Sequence, residues 1–193
     1  MITTPTLEEQ LATAGLTYGR RHDISYRAGF VIQMLGSALL AVLYPLESPF
    51  YTIGIMVFET GVLLSAVYLF VWTRSVKKFI AGSVMLGLAL QVAGSTTMPE
   101  QYAGTVLIIG IGLACVGAGG MAAKEAYCFG YREGWLLMLL FPAMVLVNLL
   151  GKENHIFNSL GFSVIFLLLL SLTGKKLRQK LLSKCAVPER GQK

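Results

Sequence analysis

The sequence predicts an all-α protein: a polytopic membrane bundle of six transmembrane helices with a short N-terminal surface helix. Charged residues make up 13% of the chain, about half the share of a soluble domain. Six segments approach the roughly 20 mainly apolar residues that a membrane span needs. Because lipid offers no hydrogen-bond partners, segments this long without alternation indicate helices rather than barrel strands. The predicted spans are 28–45, 52–73, 77–94, 103–123, 134–150 and 156–173.

The spans divide the chain of 193 residues into three parts. Residues 1–27 form a cytoplasmic N-terminal segment, in which an early Pro5 followed by Glu8 and Glu9 predicts a short amphipathic helix at 5–14. Residues 28–173 form the six-span transmembrane domain. Residues 174–193 form a basic cytoplasmic tail.

The basic residues predict the orientation in the membrane. All of the 16 Lys and Arg residues except Lys152 fall on one side of the predicted spans, and cytoplasmic loops are the ones that accumulate these residues. Both termini are therefore predicted to be cytoplasmic. The same distribution favours the lipid bilayer as the partner and excludes nucleic acid, with the basic run from Lys175 to Lys180 as an anchor at lipid head groups.

Glu59 is the strongest single candidate for a functional residue. It lies roughly 10 Å below the outer end of the second span, where an ionisable group is costly and typical of a functional site. Gln91 falls at a similar depth in the third span, and Asn148 and Asn158 fall slightly further out. Glu59 and Gln91 thus form a candidate intramembrane polar site. The alternative is a structural carboxyl group that is hydrogen-bonded to a neighbouring helix.

The fourth span is predicted to lie at the centre of the bundle. Gly110, Ala114 and Ala118 recur at four-residue spacing on one face of it. Small residues in such a pattern allow helix backbones to approach closely, so we interpret the three residues as a helix-packing face.

Lys124, Glu125 and Cys128 form a candidate motif at the inner face. On a continuous helix Lys124 and Cys128 share a face, while Glu125 points about 100° away. A neighbouring ammonium group lowers a thiol pKa and makes the thiol reactive. The alternative is an ordinary interface belt of Lys and Tyr residues at head-group level.

The stretch 119–129, Gly-Gly-Met-Ala-Ala-Lys-Glu-Ala-Tyr-Cys-Phe, resembles the centre of a family of uncharacterised bacterial and cyanobacterial integral membrane proteins, domain of unknown function 2301. The resemblance implies a location in a bacterial inner (plasma) membrane or a thylakoid. It implies no activity, because none is established for the family. It makes Lys124, Glu125 and Cys128 the positions most worth mutating.

The sequence argues against several kinds of cofactor and catalytic site. His22 and His155 fall on opposite sides of the predicted membrane, which excludes a bis-histidine haem within the bundle. No metalloprotease motif is present, and Asp23 is the only aspartate. We therefore expect no metal site, leave the cofactor unknown, and favour a protein that is not an enzyme.

Three hypotheses for function follow. The first is a non-enzymatic accessory or assembly factor of a membrane complex, which contacts a membrane-protein partner. The alternative is a small proton- or cation-linked transporter or channel that uses Glu59 and forms a homo-oligomer. The weakest is a thiol-dependent enzyme that uses Cys128. A cavity that reaches Glu59 favours the second, and a Glu59 sealed among helices favours the first.

Overall fold

The computed structural model describes residues 19–46, 50–71, 74–150 and 155–181, which form six α-helices and no β-strand. The predicted all-α membrane bundle is confirmed. The predicted surface helix at 5–14 lies outside the described residues, as does the tail beyond residue 181. The helices are α1 Arg20–Leu43, α2 Tyr51–Val67, α3 Arg74–Thr96, α4 Glu100–Phe129, α5 Arg132–Leu149 and α6 His155–Arg178.

Five of the helices, all except α2, are long and apolar enough to cross a membrane by length and composition. The second helix has 17 residues and a length of about 25 Å. It ends at Val67, whereas the sequence predicted a span to residue 73. After its end Leu69 is buried, and Tyr68 packs edge-on against His22 with ring centroids 5.6 Å apart. Packing against the start of α1 therefore replaces the last predicted helical turn.

The helices pack as antiparallel neighbours and close into a bundle. Contacts join α1 to α2, α3 to α4, α4 to α5 and α5 to α6, and α6 returns to α1. Helices α1, α3 and α5 start at one end, with Arg20, Arg74 and Arg132. We call this the basic end, and the opposite end, where α2 and α6 begin, the cavity end.

Glycine residues bring α3 and α4 into backbone contact. A Cβ atom added to Gly87 would lie 2.6 Å from the carbonyl oxygen of Gly110 and 2.8 Å from the nitrogen of Ala114. Ala114 and Ala118 are buried. The small-residue face of α4 therefore lies in the interior, with Gly110 against α3.

A second close contact joins α1 to α2, and sequence analysis did not predict it. A Cβ atom added to Gly61 would lie 2.6 Å from the carbonyl oxygen of Gly29. The buried Gln33 amide donates hydrogen bonds to the Gly61 carbonyl at 3.2 Å and to the Ser65 hydroxyl at 3.1 Å. Small residues and an amide thus join the first two helices, as is common in membranes.

Candidate functional site

A cavity of about 410 Å³ lies between the helices in the half of the bundle that is farther from the basic end. Its lining includes Tyr51 and His155, the first residues of α2 and α6, so it reaches the cavity end. Its deepest lining residues include Cys115, Phe141 and Ile165. The volume falls in the range of about 300–1,000 Å³ that is typical of small-molecule sites.

One face of α2 leads from the cavity to Glu59. Thr52 and Ile55 line the cavity, and Glu59 follows at the next turn, since residues at positions i, i+3 and i+7 share a helix face. Glu59 itself is 6% exposed. It therefore lies directly below the part of α2 that forms the cavity wall, near the middle of the helix.

Glu59 and Gln91 are joined by a hydrogen bond. The amide nitrogen Nε2 of Gln91 donates to Oε1 of Glu59 at 2.6 Å, and Gln91 also lines the cavity. Among the described residues no salt bridge includes Glu59. The structure thus brings the two predicted polar residues together. Glu59 itself does not line the cavity, so in this conformation its carboxyl group is sealed among helices and connects to the cavity only through Gln91.

Aromatic rings surround the cavity where it reaches the end of the bundle. Tyr44 stacks on Tyr51 with ring centroids 5.6 Å apart and on Phe162 at 5.5 Å. The His155 ring lies 6.5 Å from Tyr44. All four residues line the cavity, so a ligand that enters from this end meets aromatic rings first.

Two asparagines link α5 to α6 by hydrogen bonds beside the end of the cavity. The side-chain amide of Asn148 donates to Asn158 at 2.9 Å, and that of Asn158 donates back at 3.0 Å. Both line the cavity. They lie nearer the cavity end than the pair of Glu59 and Gln91, so the predicted polar residues form two separate pairs rather than one cluster.

An apolar layer separates the cavity from the basic end. Below Cys115, Phe141 and Ile165 the interior is filled by buried apolar side chains from α2, α4, α5 and α6, and none of them lines the cavity. They include Val62, Met121, Leu137, Leu169 and Leu172. In this conformation the layer closes the path from the cavity to the basic end.

A buried ionic cluster at the basic end is centred on Glu125. This residue is 0% exposed. Its Oε1 accepts hydrogen bonds from the Tyr26 hydroxyl and the Lys124 ammonium group, both at 2.8 Å. Its Oε2 accepts one from the Lys176 ammonium group at 2.8 Å, and that group also lies 4.2 Å from the ring centroid of Phe129. The cluster joins α1, α4 and α6.

Arg27 fastens the end of α6 to α1 beside that cluster. Its guanidinium group donates to the carbonyl oxygens of Lys176 and Gln179 at 2.7 Å and of Lys180 at 3.0 Å. It also pairs with the buried Asp23 carboxylate at 2.9 Å. The last carbonyl groups of a helix lack partners within the helix and carry partial negative charge, so a buried arginine is a favourable partner for them.

A second, more exposed ion pair lies nearby. Glu133 accepts hydrogen bonds from the Lys175 ammonium group and, at 2.7 Å, from the Ser171 hydroxyl. The Lys175 side chain is 47% exposed, against 5% for Lys176. Partial burial, reinforced by the Glu125 carboxylate, raises the pKa of the neighbouring Tyr131 phenol, so this ring stays neutral at physiological pH.

The three residues of the predicted inner-face motif have different surroundings. Lys124 pairs with Glu125. The sulfur of Cys128 is in a disulfide bond, so it is not available as a thiolate in this structure. Among the described residues, no group of three or more His, Cys, Asp or Glu side chains could hold a metal ion.

The comparisons with known proteins bear on the fold and not on the chemistry. The sequence model of a family described as "Uncharacterized integral membrane protein (DUF2301)" matches residues 62–185, well over half of the chain. The chain belongs to this family. The matched region includes Gln91, Lys124, Glu125 and Cys128, while Glu59 lies just before it. Neither the curated proteins nor the solved structures gave a match.

Two features of the site escaped sequence analysis. The first is the cavity, which no local pattern marks because its lining comes from five helices and from Tyr44, the residue after α1. The second is Lys176, predicted as part of a head-group anchor but 4% exposed in the structure. The head-group prediction is therefore wrong for Lys176. Lys176 lies one turn beyond Leu172 and Thr173 on a buried face of α6, but the sequence alone does not show which face of this helix is buried.

Proposed function

We propose that this integral membrane protein is a small proton- or cation-linked carrier that admits its ligand through the cavity end and uses Glu59 as the linked site. The observation that carries the proposal is the cavity of about 410 Å³, whose lining residue Gln91 is hydrogen-bonded to Glu59. A carboxyl group at mid-membrane depth beside a cavity is the usual form of a coupling site in transporters.

The two ends of the bundle support a carrier more than an open channel. The cavity reaches one end, while an apolar layer and the cluster around Glu125 close the other. A binding site that is accessible from one side only is what alternating access requires. Transport would then need a second conformation, in which the cluster at the basic end separates.

The burial of Glu59, which does not itself line the cavity, favours the accessory-factor hypothesis. That hypothesis has only partial support from the charged groups of the described residues. It expects charged groups at the inner face to be offered to a partner. Four of those groups are instead buried and paired with one another, Asp23 with Arg27 and Glu125 with Lys176. Others at the same end are exposed, including Arg20, Arg21, Arg74, Lys77 and Lys78. We also propose that the basic end faces the cytoplasm, because Lys and Arg accumulate there.

A ligand-free experiment tests the role of Glu59. The purified full chain in liposomes is adsorbed on a solid-supported membrane and subjected to jumps in pH, Na⁺ and K⁺. We expect a transient charge displacement in the wild type that is lost in Glu59→Gln. The matched control is Glu133→Gln, the same substitution at the basic end, which should keep the transient.

Equal transients in the wild type and in Glu59→Gln would overturn the proposal. Purification of the tagged chain in mild detergent gives an independent test. Recovery in a stoichiometric complex with an unrelated membrane protein, together with the absence of any transient, would restore the accessory-factor hypothesis.

A further inference from the structure

We infer that the cavity takes a small organic cation, with one positive charge and an apolar or aromatic body. This inference rests on the proposed carrier function and adds the chemical class of the ligand. Three independent properties of the cavity support it: the sign of the charge near it, the aromatic rim and the apolar walls.

The charges near the cavity favour a cation. None of the described residues that line it is a lysine or an arginine, whereas the Glu59 carboxyl group lies one hydrogen bond below Gln91. The basic groups of the bundle gather at the other end, around Glu125 and Glu133. An anionic ligand would therefore enter low-dielectric surroundings without a lysine or arginine partner, which is costly.

The rim provides the faces that bind cations. Tyr44, Tyr51 and Phe162 form a stack with centroid separations of 5.6 and 5.5 Å, and all three line the cavity. The face of an aromatic ring attracts a cation within about 6 Å of its centroid, and recognition of quaternary ammonium groups uses such rings. Because Tyr44 is stacked on both of the other rings, the outer faces of Tyr51 and Phe162 are the ones that remain for a cation. The rim and Glu59 are thus suited to attract the same kind of charge at successive depths.

The walls and the volume favour an organic ligand over a metal ion. Between the rim and Gln91 the lining is mostly aliphatic, with Ile55, Leu107, Ile108 and Ile111. Hard metal cations need several oxygen ligands at once, and no metal-holding group of side chains is found among the described residues. A volume of about 410 Å³ accommodates a ring that carries a substituted ammonium group.

Binding of three probes to the full chain in lipid nanodiscs tests the inference by calorimetry. The probes are benzyltrimethylammonium, the anion benzenesulfonate and the neutral amide N,N-dimethylbenzamide, which share an aromatic ring and differ in charge. We expect saturable binding of the cation, and at least about ten-fold weaker binding of the other two, the scale of one desolvated cation–π contact. No detectable binding of the cation, or equal or tighter binding of either other probe, would overturn the inference.

Variants locate the binding site. Tyr51→Leu and Glu59→Gln should each weaken binding of the cation about ten-fold. The matched control is Tyr102→Leu, since Tyr102 is exposed and does not line the cavity, and it should leave the affinity unchanged. Thermal unfolding of each variant verifies that it folds. Unchanged affinity in folded Tyr51→Leu and Glu59→Gln would place the cation elsewhere and refute the inference.

The outcomes of the binding test and of the charge-displacement test are independent, so each can refute its own proposal alone. Tight binding of benzyltrimethylammonium without any Glu59-dependent transient would remove the carrier proposal and retain the ligand class. A Glu59-dependent transient together with preferred binding of benzenesulfonate would retain the carrier and remove the organic cation.

Discussion

Substitution of Glu125 by glutamine should strongly destabilise the protein. The carboxylate is fully buried and joins two ammonium groups, with Lys124 and Lys176 each at 2.8 Å. A glutamine side chain has nearly the same shape, but its NH₂ group would face one of these donors. Because both lysine side chains are at most 10% exposed, water cannot replace the lost charge.

The expected loss is about 3–5 kcal/mol, the cost of removing one partner from a buried ion pair. For a chain of this size such a loss corresponds to a decrease in Tm on the order of 10 °C. Thermal unfolding in detergent, followed by size-exclusion fluorescence, measures the shift.

The control for this prediction is the same substitution in the exposed ion pair. Glu133→Gln should cost about 0–1 kcal/mol, because its partner Lys175 is 47% exposed. The double variant Glu125→Gln with Lys176→Met should recover much of the loss, since it also removes the unpaired ammonium group. If Glu125→Gln melts within a degree or two of Glu133→Gln, the assignment of a buried ionic cluster is wrong.

Two further predictions concern packing and orientation. Gly87→Ala should cost about 1–3 kcal/mol by overpacking, because its Cβ would lie 2.6 Å from a backbone oxygen of α4; Gly82→Ala, with nothing within 4 Å, should be neutral by thermal unfolding. A fluorescent-protein reporter fused after Lys193 should fold and fluoresce in the cytoplasm, and an alkaline phosphatase fused there should be inactive. Equal melting of the two alanine variants would refute the packing account, and an active phosphatase would reverse the predicted orientation.

Most of the fold is predictable from the sequence, because the bilayer limits the secondary structures that a chain can adopt. In hydrocarbon the backbone must satisfy its own hydrogen bonds, so each long apolar segment becomes a helix. The six predicted spans correspond to α1–α6. The ends of the helices were predicted less well. Helix α2 stops at Val67 because Tyr68 and Leu69 pack onto the bundle, and no local sequence pattern reveals this contact.

The sequence predicted only those features of the candidate site that depend on how deep a residue lies in the membrane. Helix rise gave Glu59 and Gln91 a similar depth, and the structure joins them by a hydrogen bond. Depth could not tell which helices are neighbours or which faces meet. For that reason the sequence left Glu125 as a head-group residue or a motif residue, whereas the structure surrounds it with Tyr26, Lys124 and Lys176.

By itself the sequence determined that the chain is an integral membrane helical bundle, because apolar length and the scarcity of charge are properties of each segment alone. Only the tertiary structure decided that charged residues at the basic end are paired inside the bundle, and that a cavity lined by five helices lies below an aromatic rim. Both features arise where side chains distant in sequence meet. The packing of helices, which no single segment encodes, therefore determines the site.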